Sequence, residues 1–179
     1  MERQMTDITI RALGAPDVEA YRELRLTALA SSPEAFGSSH EEEASLSIDR
    51  FRAHVVSDGP SAVFGAFAGS RLIGMAGFAA NERVKRRHKG TLWGVFLMPE
   101  WRGRGLGDRL VGRVVEHAAG HVLILQAAVV TTNQRARQVY ARLGFVPYGV
   151  ERQALLIDGR FYDDELLALD LRKDRLPVA

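Results

Sequence analysis

Hydrophobic positions along this 179-residue chain switch repeatedly between a period of two and a helical period. Residues 6–13 (TDITIRAL) alternate apolar and polar, as a short half-buried strand does. After Pro16, the positions Val18, Tyr21, Leu24, Arg25 and Leu29 fall near helical spacing and predict a helix over 17–30. Residues 31–45 (SSPEAFGSSHEEEAS) carry no period and read as an irregular acidic segment, with a second helix expected near 47–56. Residues 62–68 and 71–80 predict two strands joined at Gly69-Ser70, and 91–98 predict a third. Leu106, Leu110, Val111, Val114, Val115 and Ala118 mark one face of a long amphipathic helix. The nearly continuous apolar run 122–130 is the pattern of a strand covered on both faces. A helix over 133–143 is closed by Gly144, and strands at 146–157 and 165–171 follow around the turn Asp158-Gly159. Strands and helices alternate in the middle and strands dominate the end, so a mixed α/β sheet with helices on both faces is expected.

Length and composition narrow the class. One domain is the expectation for this length, with roughly 70% of the extended chain's surface buried on folding. Hydrophobic residues make up 46% and charged residues 26%, which excludes collagen-like and low-complexity chains. There is no cysteine, so disulfides, cysteine-based zinc sites and a covalent cysteine intermediate are excluded. The 24 basic and 22 acidic residues nearly cancel, to +2, and the pI of 9.2 reflects the excess of Arg over Lys. No general nucleic-acid binder is expected from that balance, although the run 83–89 (RVKRRHK) is a local basic stretch that reads as a solvated hairpin tip. The first residues are charged and lack an apolar core, and no segment approaches the roughly 18 apolar residues of a membrane span. A cytoplasmic protein without a membrane segment is the expectation. His40, His54, His88, His117 and His121 offer no His-x-x-x-His pair with a third ligand nearby, so no metal site is expected.

Residues 95–107 (VFLMPEWRGRGLG) carry the clearest chemistry. An apolar strand runs into Pro99, turns through Gly103, Gly105 and Gly107, and opens a helix. Glycines let backbone N–H groups approach a ligand closely, the helix start adds free donors and partial positive charge, and Arg102 and Arg104 add full charges. This is a phosphate cradle. The P-loop pattern fails for want of a Lys-Ser or Lys-Thr pair, and the dinucleotide fingerprint would need glycine where Asp108 stands.

Arg102-x-x-Gly105-x-Gly107 resembles the signature of the GNAT superfamily of acetyl-CoA-dependent N-acyltransferases. Downstream, Asn133-x-x-Ala136-x-x-x-Tyr140-x-x-x-Gly144-Phe145 resembles that family's second motif, and the order of elements matches over residues 7–172. The resemblance implies a single N-acetyltransferase domain over 7–172, with 1–6 and 173–179 as extensions, built on a mixed, mostly antiparallel sheet. It implies acetyl-CoA as acyl donor, a primary amine as acceptor, whether a small molecule or a protein N-terminus, and direct attack in a ternary complex. Val95, Phe96 and Leu97 would offer backbone N–H groups to the pantetheine and the oxyanion. Arg102, Gly103, Arg104, Gly105, Leu106, Gly107 and Asp108 would hold the pyrophosphate.

Asn133 and Tyr140 share a helical face about 10.5 Å apart along the axis. Asn133 can cap its helix, and the resemblance adds contacts from Asn133 and Ala136 to the pantetheine arm. By the same resemblance Tyr140 would protonate the departing thiolate. A base is also needed, because an alkylamine is mostly protonated at pH 7. Relatives with a carboxylate early on the central strand would carry it near Thr91, which cannot serve; Glu82 is one candidate, and Glu41, Glu42 and Glu43 are others. Three adjacent glutamates beside SPEAFG would also attract a cationic amine. Asp108 would repel a pyrophosphate unless it points away or Arg109 offsets it. A non-catalytic acyl-CoA-binding module of the same fold is the alternative, and a homodimer is open.

Overall fold

The computed structural model describes residues 7–172; the extensions 1–6 and 173–179, and the first residue of the strand expected over 6–13, lie outside the described residues. Seven strands form one sheet in the order β1-β2-β3-β4-β5-β7-β6. They are β1 Ile8–Ala12, β2 Ala62–Ala68, β3 Arg71–Ala80, β4 Lys89–Leu97, β5 Ile124–Val130, β6 Val146–Ile157 and β7 Arg160–Asp170. Every neighbouring pair is antiparallel except β4 and β5. A parallel join needs a long crossover, and α4 (Leu106–Ala119) supplies it.

Two apolar layers cover the sheet. On one face α4 and α5 (Gln134–Arg142) bury Leu110, Val111, Val114 and Tyr140 against Ile73, Phe78, Leu92 and Leu125. On the other, α1 (Val18–Ser31) and α3 (Ile48–Val55) bury Tyr21, Leu24, Leu29 and Phe51 against Val63, Met75 and Phe96. Strand alternation feeds both layers from one strand: β3 sends Met75 to the second and Ala76 to the first.

Three elements differ from the pattern-based reading, each for a physical reason. The acidic segment is not wholly irregular, because Ser39 and Glu42 form a reciprocal capping box that starts α2 (His40–Ala44). Strand β7 begins at Arg160 rather than 165. The acidic run Asp163-Asp164-Glu165 does not break it, since Asp163 accepts from Gln153 N and Arg152, and Glu165 from Arg137. Strand β4 begins at Lys89, within the basic run, whose remainder is an exposed turn between β3 and β4.

The feature that positions the site is a separation of β4 from β5. The two pair only through residues 89–91 and 124–126. Further on, β4 bulges: Met75 pairs with Phe96 and Gly77 with Trp93, so Gly94 and Val95 together stand opposite Ala76. Gly94 has φ +61°, a left-handed conformation that glycine adopts without the Cβ penalty. A bulge bends its strand and increases its twist, here turning β4 away from β5. The gap leaves backbone groups of β4 without strand partners, in the middle of the sheet rather than at its border.

Candidate active site

A groove of about 890 Å³ runs along the α4–α5 face beside this gap. Its walls include Val95, Phe96 and Leu97 of β4, Arg102, Gly103, Gly105, Gly107 and Asp108 of the turn, and Asn133 and Ala136 of α5. A smaller cavity of about 300 Å³ lies in the gap itself and is lined by Tyr140. The two share Val95, Asn133, Ala136 and the Glu34–Ala35 segment. Most residues singled out on sequence grounds therefore line these two adjoining hollows.

Backbone conformation builds the groove. Gly103 has φ +74° and Gly105 φ +72°, and a Cβ added at either would meet nothing within 4 Å. The space is open on the side where a side chain would stand, which is what close approach of a phosphate requires. Gly105 is also the N-cap of α4, so the helix's free N–H groups begin there. Arg102 donates from Nε to the Leu97 carbonyl at 2.8 Å, which ties the turn to the end of β4. The Asn133 side chain accepts from Ala136 N at 3.1 Å and caps α5, so the structure places it in a capping role as well as on the groove wall.

Other expected positions fall elsewhere. Leu106 is buried in the core and Arg104 lies over the Trp101 ring; neither lines the groove. Arg109 does not offset Asp108, for it reaches the Ile8 carbonyl at 3.3 Å. Arg142 does so instead, gripping both Asp108 oxygens at 2.7 and 3.0 Å; this pairing holds the Asp108 carboxyl below its ordinary range. Arg135 is a groove cation that sequence reasoning passed over. It stands close enough to Arg102 that, after burial, its charge is the next influence lowering the Arg102 guanidinium's pKa.

The cavity is built from side chains. Tyr140 is 5% exposed, and burial alone pushes its phenol above the ordinary range, so it stays protonated at neutral pH. Arg25 of α1 forms a bidentate pair with Glu43 at 2.9 and 2.6 Å, both side chains 7% exposed. Burial pushes the Glu43 carboxyl up, but the hydrogen bonds and charge of Arg25 outweigh it and the net shift is downward. The remaining Arg25 nitrogen, Nη1, is buried without a partner and lies beside Gly94. Glu34, Ala35, Phe36 and Gly37 wall the cavity, so the SPEAFG segment does contribute to it.

The base candidates read from sequence are not brought there. Glu42 is spent on the α2 capping box and Glu43 on Arg25. Glu82 is exposed just past β3, near where β4 starts, whereas the gap opens only after Thr91. None of Glu41, Glu42, Glu43 and Glu82 lines the cavity; Asp164 of β7 does. Its signal was available in the run Asp163-Asp164-Glu165, since alternation on a strand sends the middle residue to the face opposite its neighbours. Gly94, a glycine inside an apolar strand, was the readable sign of the bulge.

The acetyltransferase (GNAT) family model matches residues 22–145, and the chain belongs to that family. It is 30% identical over 95 residues to the N-alpha-acetyltransferase RimI of Mycobacterium tuberculosis, covering 53% of this chain and 58% of that protein. Against the ribosomal protein uS5-alanine N-acetyltransferase of Escherichia coli it is 29% identical over 100 residues, covering 55% and 50%. The chain thus spans about half the length of these curated relatives. Among solved structures, the putative acetyltransferase yncA of Salmonella typhimurium, determined with acetyl-CoA, superposes with a TM-score of 0.80 over 96% of this chain and 98% of that one at 21% identity. A GNAT-family acetyltransferase of Streptococcus pneumoniae gives 0.76 over 92% and 99% at 24% identity. The shared fold is the mixed, mostly antiparallel sheet with helices on both faces. No helix of the described residues is long and apolar enough to cross a membrane.

Proposed function

We propose that this protein transfers the acetyl group of acetyl-CoA to a primary amine, by direct attack while both substrates are bound. The observation that carries this reading is the adjacency of the two hollows: the glycine turn lines one and Tyr140 the other, and both are bordered by Val95, Asn133 and Ala136. The residues present fit the coenzyme. Gly103, Gly105 and the α4 N-terminus offer donors to the pyrophosphate, with Arg102 and Arg135 supplying charge. Backbone N–H groups of β4 on the side parted from β5 would bond the pantetheine amides and the oxyanion, which the loss of pairing beyond Thr91 supports.

Tyr140 is the donor for the departing thiolate. Its phenol remains protonated at pH 7 and so holds a proton to give, and burial disfavours a thiolate released into the same desolvated hollow, which favours its protonation. With no cysteine in the chain, an acyl-cysteine intermediate is excluded and attack on the thioester itself remains. The likeness to enzymes named for N-terminal and ribosomal-protein alanine acetylation favours an α-amine as acceptor.

The test joins calorimetry with coenzyme A to a thiol-release assay using acetyl-CoA and a panel of small amines and amino-terminal peptides. Coenzyme binding with amine-dependent thiol release is the expected result. Binding without release for any amine would leave an acyl-CoA-binding module, and absence of binding would end the reading.

A further inference from the structure

The cavity in the gap is lined from both faces of the sheet, and the direction of side chains along the strands shows which group stands on each side. On β7, Glu165 pairs with Arg137 of α5, and Leu167 and Leu169 pack in the layer under α4 and α5. Asp164 therefore projects to the opposite face, the side of α1 and α3. On β5, Val129 belongs to the α4–α5 layer, so Ala128 and Val130 face the other way; Val130 is the register partner of Asp164. Trp93 of β4 packs with the α1–α3 layer. Tyr140 thus lines the cavity on the α4–α5 side, and Asp164 lines it on the α1–α3 side.

Asp164 is set apart from its neighbours. Asp163 is satisfied by Arg152 and Gln153, and Glu165 by Arg137. Oδ1 of Asp164 is buried with no hydrogen-bond partner. A buried acceptor left without a donor costs free energy, and a ligand that brings a charged donor would remove that cost. Resting on the acetyltransferase reading, we propose that Asp164 binds the protonated acceptor amine on the α1–α3 side of the cavity and takes its proton.

The step balances. One N–H bond of the alkylammonium breaks, its electron pair stays on nitrogen, and the proton passes to the Asp164 carboxylate. The neutral amine adds to the thioester carbonyl and the C–S bond breaks, its pair leaving on sulfur. Tyr140 protonates that sulfur and recovers a proton from the amide nitrogen; Asp164 releases its own to water. Charged and titratable groups facing Asp164 are Glu151 across β6 and, around the cavity, Arg25 of α1, Glu34 and Tyr140. The stretches of β4 and β5 lining the cavity contribute none. Burial first, and then the Glu151 charge, raise the Asp164 carboxyl above its ordinary range, which strengthens it as a base once ionised.

Asp164→Asn keeps the shape and removes the base. Two acceptors of similar size separate proton removal from simple binding: glycinamide, largely protonated at pH 7, and aminoacetonitrile, largely neutral there. Wild-type transfer to either establishes the activity independently of this proposal. The variant is expected to lower kcat/KM for glycinamide by about 100-fold at pH 7, within the range for acid–base catalysis. It is expected to change that for aminoacetonitrile by no more than about 3-fold, and the glycinamide loss should shrink as pH rises toward neutral amine. Equal losses for both amines with an unmoved pH profile would overturn the proposal, as would an unchanged rate for glycinamide. Should the wild type use neither amine, a carbon-13 titration of the Asp164 carboxyl with methylammonium decides: a shift supports the subsite and none rejects it.

Discussion

The groove and the cavity share Val95, Asn133 and Ala136 yet are made of different material. The groove is largely backbone: two glycines at positive φ, a helix start and a strand stripped of its neighbour. The cavity is largely side chain, with Tyr140, Arg25, Asp164 and Phe36 contributed by four separate segments. On the proposed reading, a groove made of peptide groups would recognise what every coenzyme A molecule shares and would tolerate most exchanges of side chain. A site made of a few buried polar side chains recognises one acceptor and fails when one of them changes.

The largest expected break of this contrast is Arg25→Met. It leaves Glu43 charged, buried and unpaired, which should cost roughly 3–5 kcal/mol in urea unfolding, and Arg25→Met with Glu43→Leu should recover most of it. Tyr140→Phe comes next, lowering turnover by about 10- to 1000-fold while coenzyme affinity measured by calorimetry stays nearly intact. On the groove side, Gly105→Val forces a β-branched residue into a left-handed conformation, costing roughly 1–2 kcal/mol, and fills the cradle. Coenzyme affinity should fall by about tenfold or more, with selectivity among amines unchanged. Smallest is Arg142→Ala, which exposes the Asp108 charge to the phosphates; a loss of a few-fold in affinity, restored by Asp108→Asn and weaker at high salt, is expected.

Glu43, the buried partner of Arg25, and Asp164 of the cavity wall also part company with pH. Glu43 has a lowered folded pKa, so its contribution is complete above the unfolded value of about 4.3 and disappears as pH falls through the folded one. Asp164 is raised, so it favours the folded state most below its unfolded value of about 3.9 and loses that contribution as pH climbs through the folded one. Asp164→Asn is accordingly expected to melt higher than wild type at pH 7 by differential scanning calorimetry, even as it loses turnover.

The same contrast explains what could be read before any coordinates. Groove residues are constrained by a local turn, so Arg102, Gly103, Gly105 and Asn133 stand at fixed spacings in short stretches of chain. The elements and their two layers were legible for a similar reason, since apolar period is local, whereas the insertion of β7 between β5 and β6 was not. In the cavity, Tyr140 was legible in the same motif as Asn133, but Arg25 and Asp164 reach it only through the docking of α1 and the pairing of β5 with β7, which no short stretch announces. Charge density misdirected attention to Glu41, Glu42 and Glu43, because a run of carboxylates does not reveal which of them are already engaged. Arg25 lay in plain view on the apolar stripe of α1, a cation where only a buried partner could keep it.

The bulge at Gly94 has a consequence for the empty protein. An ordinary open sheet has two borders, whereas parting β4 from β5 creates two more inside it, flanked by helices that keep foreign strands out. Amide hydrogens of residues 92–97 that point into the gap should exchange quickly when the protein is alone and slowly once coenzyme A lies against them. On the proposed reading the pantetheine chain would then stand in for a missing strand, and ligand occupancy and sheet integrity would become one equilibrium.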